Sequence, residues 1–402
     1  MNTAEAMKQR AHAVLAPSSA KRWLACPASA RLEDKEPGRE TAYTKEGTLA
    51  HAFAADCLEF LKATQARAVE LNAPSICIEK CEHECSNAGL LEAADEIVAV
   101  VWDNYVRLVW EDFLEAKKAD KDAEIYIEKA FSLDRFVPES FGSADAVVTY
   151  GDTLRVYDLK YGKGVRVSAK ENPQMRLYAL GAYFSVCELY DTRNIRATII
   201  QPRLGAVSTE ELRTEVLLAW AIKELKPKAE LAYRGDGPAM PGEHCKFCRV
   251  AHKCKALADF CAETAQTDAE TMNEAETAEM LAKIPVMESF IEAMKSRTLE
   301  AALNGTRYPG FKLVEGRSVR KIGDTAAAVA RLAEKFEPGS YLKPQELKTI
   351  TELEKVFTKK GFAELLGDLV IKPAGKPALV PDSDPRPELN SAANEYNDII
   401  NA

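Results

Sequence analysis

The 402-residue chain has no run of eighteen apolar residues, which excludes a membrane-spanning helix. Its first residues, Met1 to Arg10, are polar and charged, unlike a secretion signal. A cytoplasmic protein with no membrane partner is expected. It lacks an excess of positive charge: 53 Lys and Arg stand against 62 Asp and Glu, a net −9. That argues against non-specific coating of nucleic acid and leaves room for a local basic groove. No internal repeat is visible. Histidine is scarce, at five residues. What is present is ordinary for a folded protein, with 47% hydrophobic and 29% charged residues, so a wholly disordered chain is excluded. The length allows two domains, or one large domain with an appendage. Ten cysteines are unusual. In a reducing compartment, clustered cysteines point to metal rather than disulfides.

Ser18-Ser19 before Ala20–Ala25, with Pro27 just after, reads as a short capped helix. Longer helices are expected over 46–62, 90–119, 172–189 and 215–233, and strands over 124–131, 143–150, 153–160 and 195–201. This order predicts an α/β core with a mixed sheet flanked by helices. A helix over 270–303 carries a one-sided stripe of Leu281, Ile284, Met287, Ile291 and Met294, expected to pack against the body. The expected organisation is a domain over 1–265, a helical linker over 266–305, a small α+β module over 306–371 and a loose tail over 372–402.

Tyr150-Gly151-Asp152-Thr153 has the composition of a two-residue hairpin turn. If Tyr150 pairs with Thr153, Ala146 meets Tyr157 and Asp145 lies opposite Asp158. Directly opposed Cβ atoms are about 4.5–5.5 Å apart, so the two carboxylates repel. A divalent cation reverses that sign, because hard Mg²⁺ or Mn²⁺ takes oxygen ligands. Lys160 projects from the same face as Asp158, and an ammonium there can steady a phosphate or activate water. Gln174 and Tyr178, four apart in one helix, share a face.

Cys245-x2-Cys248-x5-Cys254 supplies three thiolates within ten residues. A tetrahedral metal or a cubane cluster needs four ligands. Cys26, Cys261, His244 and His252 are candidates for the fourth. Cys57 and Cys187 read as packing residues, as does Cys261 if it is not a ligand. Cys77, Cys81 and Cys85, near His83, fit no common zinc spacing and read as a Cys-rich insertion.

These motifs resemble the PD-(D/E)XK (restriction-endonuclease-like) nuclease superfamily in its RecB-like branch. Gly142-Ser143-Ala144-Asp145 and Tyr157-Asp158-Leu159-Lys160 resemble its central motif, although Ala144 stands where the superfamily name has Pro. Glu46-Gly47-Thr48-Leu49-Ala50-His51 resembles its helical motif ending in a ligand His, and Gln174 to Tyr178 its Gln-x3-Tyr motif. The resemblance implies that His51, Asp145, Asp158 and the Leu159 carbonyl hold Mg²⁺ or Mn²⁺. Lys160 would act on the attacking water, Gln174 and Tyr178 would position the strand, and Glu46 would support the metal shell. Iron–sulfur members of the branch use one Cys before these motifs and three after. Trp23-Leu24-Ala25-Cys26-Pro27 resembles that first element. The resemblance thus implies a [4Fe–4S] cluster on Cys26, Cys245, Cys248 and Cys254, with Zn²⁺ as the alternative.

Between Lys160 and Arg176 the chain has five basic residues, Lys163, Arg166 and Lys170 among them, and one acid. A DNA backbone passing the site would meet them, and Arg203 would extend the groove. The full-length layout resembles a family encoded by bacteriophages and prophages near replication and recombination genes. Arg317, Arg320 and Lys321 of the small module either touch DNA or form one exposed strand face. The expectation is a metal-dependent deoxyribonuclease, an exonuclease acting on single- or double-stranded DNA ends beside a phage recombination or single-strand-binding protein. The alternatives are a catalytically silent scaffold holding DNA or a recombination partner, and a zinc-stabilised interaction protein.

Overall fold

The computed structural model describes residues 13–34, 36, 42–65, 97–162, 164–187, 191–266, 272–316, 320–343, 346–371 and 378–381. Cys77, Cys81, His83, Cys85, Lys163, Arg317 and the tail over 382–402 lie outside the described residues.

β1 (Glu124–Ser132), β2 (Phe141–Tyr150), β3 (Thr153–Leu159), β4 (Asn194–Gln201) and β5 (Ala206–Arg213) form one sheet in that order. The β2–β3 register is the one the turn predicts, from Tyr150 with Thr153 to Ala146 with Tyr157. Gly151 takes φ +51°, the left-handed conformation such a turn needs. β3 and β4 run parallel while every other pair is antiparallel, so the sheet is mixed. A parallel pair needs a crossover, here the helix Pro173–Val186. Asn172 caps that helix, its side chain accepting from the Gln174 and Met175 amides, and Pro173 holds the first helical position.

Both sheet faces are covered. Val147, Leu154 and Val156 pack with Met175, Leu177 and Leu180 of the crossover helix. On the other face Val148, Tyr157 and Leu159 pack with Phe53 and Leu58 of the helix Ala42–Thr64 and with Val109 and Trp110 of the helix Arg107–Ala119. Arg155 fastens the latter helix to the sheet through Asp112, at 2.6 Å.

The structure adds three features to the sequence reading. The helix expected over 90–119 contains a π-turn at Trp102–Val106. The edge strand β5 and the helix Ala28–Asp34 were not expected. In the helix Glu274–Leu303, Leu281, Ile291 and Met294 of the expected packing stripe are exposed, and the helix contains Pro285. The stripe's spacing fixes which residues share a face, not whether that face is covered.

The chain divides into two compact units at Phe290 and Ile291, inside that helix. The second unit has its own core of Leu332, Tyr341, Leu353, Phe362 and Leu366, with small two-stranded sheets. There Arg320 pairs with Glu354 at 2.7 Å, and Lys321 lies in a short strand.

Gly181 sets the close approach of the crossover helix to β1. A Cβ at this position would lie 2.1 Å from the Phe131 ring. Removing a helical glycine gains about 0.5–1 kcal/mol, while overpacking a core costs about 1–3 kcal/mol, so the clash wins. Gly181→Ala should lower the melting temperature, measured by calorimetry. An unchanged or raised value would show that Phe131 can move aside.

Candidate functional site

At the end of the β2–β3 hairpin the ladder stops and two carboxylates take its place. Asp145 Oδ2 accepts from the Leu159 amide at 2.6 Å, and its Oδ1 lies 3.1 Å from His51 Nδ1. Leu159 is thus fixed beside Asp145 through its N–H. Asp158 is buried, with Lys160 Nζ 2.9 Å from Oδ1 and 2.8 Å from Oδ2. The Oδ2 contact is an ion pair without hydrogen-bond alignment, which leaves that buried oxygen without a directed partner. The crossover helix adds Gln174, whose Nε2 donates to Asp158 Oδ1 at 3.4 Å and to the Tyr178 hydroxyl at 2.8 Å. The Phe131 ring meets Tyr178 edge-on at 5.9 Å. The sequence-predicted residues His51, Asp145, Asp158, Lys160, Gln174 and Tyr178 are therefore brought together from two helices and two strands.

The closest ligand group differs from the expected one. His51, Glu128 and Asp145 offer ligand atoms all within 4.8 Å of one another, a group that could hold a metal ion. Asp158 is turned to Lys160 instead of completing this trio, and Glu128 was missed. The β1–β2 pairs Ile127 with Ala146 and Lys129 with Ala144 place Glu128 opposite Asp145. Glu128 also has φ +47°, a conformation rare and strained for a residue with a Cβ. An acid in a strand is weak information until the β1–β2 register is known.

The electrostatics show crowding of negative charge. Burial raises the Asp158 carboxyl above the usual range, with Asp145 adding to the rise and Lys160 opposing it. Glu128, though exposed, is raised as well, by partial desolvation helped by Asp145. Burial alone would lower His51, but its bond to Asp145 and the charges of Asp145 and Asp158 outweigh this and raise it. Tyr178 is raised by burial and by Asp158. Tyr105, from the π-turn, is fully buried, its hydroxyl has no hydrogen-bond partner, and Asp145 and Asp158 are among the charges acting on it. Oxygen donors that repel one another, with a buried oxygen and a hydroxyl left undirected, suit a hard cation.

Several supporting residues have other roles than expected. Glu46 pairs with Arg203 at 2.9 Å, and the Arg203 guanidinium lies 4.7 Å from the Tyr161 ring centre. Arg203 therefore does not offer its charge to a groove. Arg176 is held by Glu210 at 2.6 Å and is nearly buried, so it too is spent internally rather than free for DNA. Arg166 and Lys170 are exposed.

The second cluster joins distant segments. Cys26, Cys245, Cys248 and Cys254 line one small cavity, and all four are free thiols. The Met240 amide donates to Cys26 Sγ at 3.3 Å, and the Gly242 amide to Cys245 Sγ at 3.4 Å. A Cβ on Gly237 would lie 2.3 Å from Pro27, so only glycine allows these segments to approach. Burial raises the Cys245 thiol and pushes Cys248 up to about 12. Cys57 and Cys187 are buried, as packing residues should be. Among the described residues no three sulfurs lie within 4.8 Å of one another.

An α/β protein with a five-stranded mixed sheet, carrying a charged cluster at the end of its central hairpin, is thus defined. Residues 12–387 match the model of the DUF2800 family, described as proteins of unknown function. The chain belongs to that family.

Proposed function

We propose that the first unit is a metal-dependent deoxyribonuclease with a PD-(D/E)XK core. One observation carries this reading: Asp145 and Asp158 are adjacent on paired strands with Lys160 on Asp158, within reach of His51, Gln174 and Tyr178. Mutual repulsion makes this arrangement costly without a cation. His51, Glu128 and Asp145 would hold Mg²⁺ or Mn²⁺, with Asp158 close by. When bound, the ion supplies Lewis-acid polarisation of a phosphoryl oxygen. Lys160 orients the attacking water and steadies charge developing on the phosphate. Gln174 holds Asp158 and the Tyr178 hydroxyl in register. A phage-type recombination or repair role, on DNA ends, fits this chemistry.

The four cysteines would carry a [4Fe–4S] cluster. The Met240 and Gly242 amides already donate to the Cys26 and Cys245 sulfurs, hydrogen bonds of the kind that tune such clusters, and Zn²⁺ on the same four thiolates is the alternative.

The metal reading has a signed pH test. Asp158, Glu128 and His51 all have raised values in the folded chain. Each therefore binds its proton more tightly folded than unfolded. Their contribution favours the metal-free fold at low pH and is lost as pH rises through the raised values. A cation then takes the place of the protons. Scanning calorimetry should show a larger rise in melting temperature on adding Mn²⁺ at pH 8 than at pH 6, and none in Asp145→Asn. Equal rises at both pH values, or an undiminished rise in the variant, would contradict the site.

A further inference from the structure

The two middle residues of the Cys245-x2-Cys248 element, Lys246 and Phe247, are both exposed, and Phe247 keeps 69% of its surface. Neither is needed as a sulfur ligand. A cleft of about 490 Å³ is lined by Lys160 and Gln174, by these two residues, and by Lys21, Val165 and Pro285. Val165 is 63% exposed. Two uncovered apolar side chains thus face a channel that ends at the proposed catalytic lysine.

Both walls are held in place. The Phe247 carbonyl accepts from Arg22 at 3.0 Å, and Arg22 is paired with buried Glu33 at 2.7 Å. Glu33 also accepts from the Arg249 amide at 2.5 Å. The backbone on either side of Cys248 is therefore tied to one buried ion pair, and the ring is left pointing away from the core. Opposite, buried Gln201 accepts from the Val167 amide at 2.7 Å and donates to the Val165 carbonyl at 2.9 Å. Immobilising both walls before binding lowers the ordering cost of taking a ligand.

The lining selects the ligand. Lys21 and Lys246 are exposed cations, Glu243 is the exposed acid in the cleft wall, and Lys246 Nζ stands 5.8 Å from the Phe247 ring centre. An exposed aromatic face flanked by lysines is the arrangement that binds unpaired bases and their phosphates. Duplex bases have their faces covered by neighbours, and a cleft of this volume admits a strand rather than a helix.

We propose that this cleft is a single-stranded DNA channel in which a base stacks on Phe247 and Lys21 and Lys246 contact phosphate. The cysteine loop thereby builds one wall of the substrate path. This deepens the nuclease reading and rests on it for the direction in which the strand runs, but binding can be tested without cleavage.

The experiment is fluorescence anisotropy of a labelled oligothymidylate with full-length protein in EDTA, where hydrolysis cannot interfere. Phe247→Ala should weaken binding about tenfold or more, the usual worth of a stacked base, and Phe247→Trp should restore it. Lys246→Ala should lower the salt dependence by about 0.7 in log–log slope, the share of a single neutralised phosphate on a single strand. Val207→Ala, on the far edge strand, should bind as wild type. Matching visible absorbance and melting temperature would show that the loop is intact in each variant. Blunt duplex should bind more weakly than oligothymidylate and be insensitive to Phe247→Ala. Unchanged affinity in folded Phe247→Ala would overturn the channel, as would equal binding of duplex, or tighter binding of oligouridylate than of oligothymidylate. If Phe247→Ala keeps its affinity while wild type still cuts DNA with Mn²⁺, the nuclease reading stands and only the channel falls.

Discussion

Asp158→Ala and Lys160→Ala should each reduce DNA cleavage by about 10³-fold or more while leaving the fold intact. The expected size follows from what each group does. Removing one preorganised electrostatic partner of a transition state costs about 10²–10³-fold, and removing a group that acts on the nucleophile costs about 10²–10⁴-fold. Asp158 is buried against Lys160 and Gln174, so its loss also leaves the ammonium without its partner. Stability should respond in the opposite sense. Burial and Asp145 hold the Asp158 carboxyl above its ordinary range, so the ionised group opposes folding near neutral pH. The metal-free Asp158→Ala domain should melt no lower than wild type by more than the small cavity it leaves. Initial rates on end-labelled DNA, read beside circular dichroism, check both halves. Wild-type rates in a folded Asp158→Ala would place the chemistry elsewhere.

Cys248→Ala should remove a brown colour and take away a large share of the first unit's stability. Cys26 and Cys245 are separated by more than two hundred residues. A cross-link closing even a hundred-residue loop is worth about 4.7 kcal/mol in the chain-entropy account, and a whole domain is stable by about 5–15 kcal/mol. A cluster joining the helix Ala20–Ala25 to the loop after residue 240 therefore accounts for much of the margin. Cys248 is buried enough to hold its thiol near 12, so without metal it contributes as a neutral packing group only. Anaerobically purified wild type should absorb at about 400 nm from sulfur-to-iron charge transfer, and the variant should not. Stoichiometric zinc in a colourless wild type would replace the cluster with the smaller ion. A colourless, metal-free wild type as stable as the variant would remove the site.

The hairpin was legible because a two-residue turn with glycine fixes register, and register fixes which side chains oppose. Counting back from Tyr150 and Thr153 is enough to pair Asp145 with Asp158. The crossover helix was legible as a helix over 172–189, and in the structure Asn172 caps it and Pro173 opens it. Glu128 was not, because its meaning depends on the β1–β2 register and on a positive φ that no local signal announces. Arg176 and Arg203 read as free cations because their partners, Glu210 and Glu46, are 34 and 157 residues away. Charge counting along a segment cannot see neutralisation across the fold. Tyr105 reads as a core residue of its helix and is buried, but the place of its hydroxyl among the charges of Asp145 and Asp158 depends on the fold and has no local signal. The edge strand β5, with Glu210 and Glu211 together, lacks the apolar alternation that marks a half-buried strand.

Hydrolysis of DNA by the Asp145, Asp158 and Lys160 cluster with a divalent cation is what every residue role above depends on. Its most direct test is cleavage of end-labelled linear single-stranded and duplex DNA by anaerobically purified protein in Mg²⁺, Mn²⁺ or EDTA, beside Asp158→Ala. Wild type should shorten the DNA with either cation, with no shortening in EDTA and none by the variant. Cleavage that persists in EDTA or in Asp158→Ala, or no cleavage by a folded, brown wild type that binds Mn²⁺ and DNA, would contradict it.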